Sequence, residues 1–197
     1  MFWYDDELKT LEKQKQELTY RPKMVFMGSS SIAMWNTLYE DFAEYKPVNL
    51  GFNGATLAAC VWFFDRILSY YYPESIVLYA GDNDLGDGRH AEEVAIFYFQ
   101  FILKVRETYG NVPTYFVSIK PSKSRLDIVE KIKCANNIIE NETRKDSNQH
   151  FINVFDKMIS KKGVPRNELF LNDDLHLSKE GYKLWKGIIK HSLSSKL

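Results

Sequence analysis

The sequence is poor in the residues that would staple a small fold or metallate it. Only two cysteines occur, Cys60 and Cys134, with no C-x-x-C pair, so a disulfide framework, a thiolate zinc site and a dithiol redox centre are all unsupported. Both thiols fall in segments of helical period and are expected to be buried. Neither sign of charge is in excess, with 26 basic against 26 acidic residues, and without a summed field a nucleic-acid partner is not expected. No apolar stretch approaches the roughly 20 residues of a membrane span. Met1 to Leu18 carries acids and lysines where a signal peptide carries an apolar run, so a cytoplasmic protein without membrane contact is expected. The last three residues, Ser195-Lys196-Leu197, would read as a peroxisomal address only in a eukaryotic host.

What is present is an ordinary globular composition, 45% hydrophobic and 26% charged over 197 residues. That length suits one packed domain. Residues 5–19 set Leu8, Leu11 and Leu18 among Glu, Lys and Gln, a polar helix with a narrow apolar stripe. An N-terminal helical extension, residues 1–22, is therefore expected to lie on a main domain of residues 23–197.

From Met24 a repeating grammar begins. Short apolar runs at 24–27, 48–50, 75–79, 114–118 and 151–154 alternate with segments of helical period at 33–45, 56–70, 90–109, 122–145 and 178–193. Strands separated by helices imply right-handed crossovers and a parallel sheet between two helical layers. Ligands of such a sheet bind outside the carboxyl ends of its strands. The loops that gather there are Gly28 to Ile32, Gly51 to Thr56, Ala80 to His90, Ile119 to Lys123, and Phe155 to Ser178.

The first loop reads Gly28-Ser29-Ser30-Ser31, just before a helix. Its serines can cap that helix; a serine there is also well sited as a nucleophile, since the helix start aims backbone donors at developing negative charge. The loop has neither P-loop spacing nor G-x-G-x-x-G, and no G-x-S-x-G elbow occurs, so nucleotide binding and the α/β-hydrolase elbow are set aside. A serine nucleophile needs a base, and the chain has four histidines. His191 lies in the last helical turn, His150 precedes the last strand at its far end, and His90 sits at a helix start where the dipole disfavours its charged form. His176 remains, in Asn172-Asp173-Asp174-Leu175-His176. The D-x-x-H spacing lets Asp173 orient the imidazole and leave Nε2 free, although Asp and His before a helix also serve as caps. Gly54 and Asn83, with the Ser30 N–H, are candidate oxyanion donors, and equally ordinary turn residues. Asp82, Asp84, Asp87 and Glu93 suggest a calcium loop, but Gly86 and Asp87 fall out of register, so no metal or other cofactor is expected. Lys120, Ser122 and Arg125 follow a strand on the ligand edge and are candidate substrate contacts or solvated loop residues.

Four segments, Gly28-Ser29-Ser30, Asn49 to Gly54, Gly81-Asp82-Asn83 and Asp173 to His176, stand in the order found in the SGNH or GDSL hydrolases, and the chain resembles that family from residue 25 to about 190. The resemblance implies a three-layer α/β/α, flavodoxin-like fold with a five-stranded parallel sheet and no metal. It implies hydrolysis of esters or thioesters through an acyl-enzyme, with Ser30, Asp173 and His176 catalytic and Ser30, Gly54 and Asn83 forming the oxyanion hole. Two positions depart from the family pattern. Ser29 stands where the family has Asp, changing the local charge, and Asn53 stands where it usually has Gly, reshaping the acyl pocket; both join Lys120 as candidate substrate-binding residues. The expected partner is a small acyl ester, short-chain because no long apolar lid is evident. An acyltransferase with the same triad and a non-catalytic binding module are the alternatives. The oligomeric state is not legible.

Overall fold

The computed structural model describes residues 2–194; the Ser195-Lys196-Leu197 address lies outside them. The elements follow in chain order: α1 (Asp5–Glu17), β1 (Met24–Gly28), α2 (Ser30–Ala33), α3 (Leu38–Asp41), β2 (Pro47–Gly51), α4 (Leu57–Trp62), α5 (Phe64–Ile67), β3 (Ser75–Tyr79), α6 (Asp82–Gly86), α7 (Ala91–Tyr109), β4 (Thr114–Val117), α8 (Val129–Thr143), β5 (Gln149–Ile152), α9 (Phe155–Met158) and α10 (Lys179–Ser194). The five strands form one parallel sheet in the order β2-β1-β3-β4-β5, with helices on both faces. This is the three-layer, flavodoxin-like arrangement that the sequence led us to expect. Among the described residues, no helix is long and apolar enough to cross a membrane.

Two apolar layers hold the sheet, and the strands feed them alternately, as the period of two requires. Val25 and Met27 of β1, Ile76 and Leu78 of β3, and Phe116 of β4 face one layer, where α4, α5, α7 and α8 pack. Met24 and Phe26, Val77 and Tyr79, and Tyr115 and Val117 face the other, under Trp35, Phe42 and α10. Both faces are covered, which is why the strands are apolar runs without polar alternation.

Helix boundaries depart from the expected spans where side chains seize the backbone. The 33–45 segment is divided: Asp41 accepts hydrogen bonds from Trp35 Nε1 at 2.8 Å and Thr37 Oγ1 at 2.6 Å, folding a turn between α2 and α3. The 56–70 segment starts where Thr56 caps α4 by accepting from Ala59 N at 3.0 Å and breaks at Phe63. The 122–145 segment opens as a short 3-10 stretch kinked at Arg125 before α8 begins. β5 begins and ends two residues earlier than its expected run at 151–154, in register with β4 from Thr114 opposite Gln149 to Val117 opposite Ile152.

α1 lies across the first layer. Leu8 is fully buried and Leu11 nearly so within the core cluster, and Arg66 of α5 reaches back to Glu12 at 2.6 Å and Asp5 at 3.1 Å. The exposed ion pairs add little, so docking rests on the leucines. Leu8→Ala is expected to lower stability by about 2–5 kcal/mol in urea denaturation; a loss under about 0.5 kcal/mol would mean that α1 does not dock.

Candidate active site

β1 and β3 flank the point where strand order reverses, and the loops leaving their carboxyl ends diverge to open a crevice. The first of these loops is forced by its glycine. Gly28 has φ +148°, and a Cβ there would sit 1.8 Å from the Tyr79 carbonyl oxygen, so only glycine allows the two strand ends to close this tightly. Ser29 N then donates to that same carbonyl at 2.9 Å. Ser29 is fully buried, while Ser30, the first residue of α2, is half-buried. As the start of a helix, Ser30 carries an amide N–H with no partner inside the helix.

The second and third loops are tied together by the residues weighed as oxyanion donors. Gly54 turns at φ +68°, a left-handed position suited to glycine, and lies at the surface. Asn83 Nδ2 donates to Ala55 O at 3.0 Å, leaving its second amide hydrogen for another acceptor. Asp84 is a clamp: its buried carboxylate accepts from Leu57 N at 2.7 Å and Ala58 N at 3.5 Å, at the start of α4. Burial raises its pKa to about 6, against the pull of those amides and of Arg89, which pairs with it at 3.3 Å. Glu93 accepts from the His90 backbone at 2.8 Å at the start of α7.

His176 sits in a turn bracketed by an antiparallel bridge between Phe170 and Leu177. Its Nδ1 lies 2.7 Å from Asp173 Oδ2, and Asp173 Oδ1 accepts from Leu175 N and His176 N, each at 2.9 Å. The His176 hydrogen bond, assisted by those amides against some desolvation, lowers the Asp173 pKa to about 2. The intervening Asp174 turns at φ +56°; its carbonyl accepts from Ser124 N at 3.3 Å and its carboxylate meets Lys123 at 3.3 Å. The histidine turn is thus stitched to the loop after β4. Leu177, the residue after His176, and Met34, four residues after Ser30, line one cleft between α10 and the segment after β1.

Lys120 is not at the surface. Only 1% exposed, its Nζ donates to Asp82 at 2.8 Å and to Tyr79 OH at 3.1 Å, beneath the loops it was expected to border. Burial on its own pushes the Asp82 carboxyl up, but Lys120, by charge and hydrogen bond, and Arg125 hold it below its usual range. Asn53 is likewise engaged: its N–H and Nδ2 donate to Glu7 of α1 at 2.6 and 3.2 Å. The Tyr4 hydroxyl donates to Gly54 O at 2.9 Å. No local pattern marks Trp3, Tyr4 and Glu7 as site neighbours, because they reach it across about fifty residues of chain.

The sequence model of the GDSL-like Lipase/Acylhydrolase family matches residues 26–184. None of the curated proteins matches. Among solved structures, the chain is similar to a Streptococcus pneumonia protein provisionally named a platelet activating factor, at 24% identity and TM-score 0.82, covering 96% of this chain and 94% of the other. It is similar to a GDSL-like lipase from Bacteroides thetaiotaomicron, at 20% identity and TM-score 0.82, with 96% and 98% covered. A provisionally assigned acylhydrolase from Bacteroides fragilis follows at 19% identity and TM-score 0.80, with 92% and 93% covered.

Removing the cation from the buried Asp82–Lys120 pair should be costly. Lys120→Met is expected to destabilise by about 3–5 kcal/mol at pH 7, because it strands a buried carboxylate. A carboxyl depressed in the fold gives stability that is present above its unfolded pKa, about 3.8, and lost as pH falls through the folded value. Without Lys120 the burial that pushes Asp82 up is less opposed, so urea titrations should show the gap between wild type and variant beginning to narrow above about pH 4, as the stranded group takes up its proton, and continuing to narrow below it.

Proposed function

The chain belongs to the GDSL-like lipase/acylhydrolase family and is a serine ester hydrolase, and we propose that Ser30 is its nucleophile, His176 the base, and Asp173 the group that orients the base. The observation that carries this reading is the 2.7 Å contact of His176 Nδ1 with Asp173, whose other oxygen is pinned by two backbone amides. A carboxylate held so rigidly selects the imidazole tautomer with the proton on Nδ1 and leaves Nε2 open to accept. That open nitrogen must come within hydrogen-bond reach of Ser30 Oγ for the reaction to proceed.

In the proposed reaction His176 Nε2 takes the Ser30 hydroxyl proton as Oγ attacks the ester carbonyl carbon. The carbonyl π electrons move to oxygen, and the oxyanion is met by the Ser30 N–H, the Gly54 N–H and the free hydrogen of Asn83 Nδ2. Collapse breaks the bond to the alkoxy oxygen, which leaves with the proton held by His176, and Ser30 is acylated. Water, deprotonated by His176, attacks the acyl carbon and restores the serine. The buried Ser29 and Lys120 act in this scheme from beneath, holding the loops whose upper faces meet the substrate, a small-molecule acyl ester. Asn53 contributes through Glu7 to the placing of Gly54.

Ser30→Ala should abolish the burst of p-nitrophenol from a p-nitrophenyl ester while leaving the circular-dichroism spectrum and melting temperature close to wild type. Asn83→Ala should cost about 10²–10³ in kcat. Full activity in either variant would remove that residue from the mechanism.

A further inference from the structure

We propose that the N-terminal segment from Trp3 to Glu7 walls the acyl pocket, and that it selects esters whose acyl group is an apolar chain longer than acetyl. The inference rests on the assignment of Gly54 and Asn83 as oxyanion donors and carries it to the substrate. A cleft of about 470 Å³ is lined by Trp3, Tyr4, Gly54, Thr56 and Asn83, with the charged Asp87 and Arg89 completing it, a volume within the range of small-molecule pockets. Two of those residues are the oxyanion donors, and two belong to the N-terminal segment.

Which half of an ester lies there follows from the stereochemistry of the attacked carbon. Its four substituents are Ser30 Oγ, the oxyanion, the leaving oxygen and the acyl chain. The leaving oxygen must face His176 to collect its proton. The cleft extends from the oxyanion donors, and its lining comes from the N-terminal segment and the loops after β2 and β3, not from the 173–176 turn. The substituent that can enter it is therefore the acyl chain.

The segment is held in place as a wall. Tyr4 is 5% exposed; its ring packs edge-on against Phe52 and Phe63 at centroid distances of 5.2 and 5.9 Å, and its hydroxyl holds Gly54 O. Glu7 holds Asn53. Trp3, anchored beside Tyr4 with ring centroids 5.6 Å apart, is nonetheless 74% exposed. An indole fixed at the mouth of a cleft and left open to water contributes little to the fold, and it offers a face on which an apolar chain can be covered. Each methylene so buried is worth up to about fourfold in kcat/KM, and acetyl is too short to use it.

The test compares p-nitrophenyl acetate, butyrate and hexanoate on wild type, Trp3→Ala and Trp3→Phe. Trp3→Ala should lower the hexanoate-to-acetate ratio of kcat/KM about tenfold, chiefly through KM, and Trp3→Phe should restore most of it. In parallel, hexanoate and acetate ions are titrated by calorimetry into Ser30→Ala protein with and without Trp3→Ala. Hexanoate should bind more tightly than acetate, and the second substitution should erase the difference. An unchanged ratio, or hexanoate binding no tighter than acetate, overturns the pocket assignment. If wild type cleaves no ester while the Trp3-dependent preference for hexanoate persists, the reaction assignment fails and the pocket stands.

Discussion

Trp185 has no exposed surface. Its ring lies 4.8 Å from that of Tyr79 at the end of β3 and 6.3 Å from that of Trp35, in the segment just after Ser30. Through this packing α10 is drawn onto the sheet beside the turn that follows β1. Tyr182 adds a second contact to Trp35 at 5.1 Å, and Lys186 an ion pair to Asp41 at 2.7 Å. The histidine turn lies immediately before α10, so the seating of that helix fixes where His176 stands relative to a serine nearly 150 residues earlier. An indole anchor of this kind is worth several kcal/mol of burial and packing, far more than the partly exposed ion pairs beside it.

The other side of the site is assembled by carboxylates. Asp84 gathers the first amides of α4, Asp82 is locked to Lys120 and Tyr79, and Glu7 reaches in from α1 to hold Asn53. These acids hold the second and third loops at fixed separation, which a set of preorganised hydrogen-bond donors requires. A buried ion pair is seldom the most stabilising way to fill a core. Asp82 is the residue before Asn83 at the start of α6, so the Asp82–Lys120 pair would fix the geometry of the proposed oxyanion donor.

The layered fold was readable because the three central strands, β1, β3 and β4, are apolar runs and the crossovers carry helical period, both local properties. The order of loops on the rim followed from that, and with it the pairing of Asp173 with His176, three residues apart. The rest was illegible for equally physical reasons. A lysine after a strand reads as solvated, and nothing local reports that an aspartate thirty-eight residues earlier will bury it. Tyr4 and Glu7 meet Gly54 and Asn53 through contacts spanning about fifty residues, so the N-terminal helix reads as an extension although it borders the site. The turn between α2 and α3 depends on hydrogen bonds from the Trp35 and Thr37 side chains to Asp41, and the start of α4 on the Thr56 cap, which periodicity does not register.

The central claim is that one hydroxyl and one imidazole, from opposite ends of the chain, work as a unit on this rim. It is tested most directly by treating wild type and His176→Ala with a fluorophosphonate and locating the modified residue by peptide mass spectrometry. Modification is expected at Ser30 alone, slowed by at least about 10³ without His176. Modification at Ser29 or Ser31, or labelling equally fast in the variant, would contradict it.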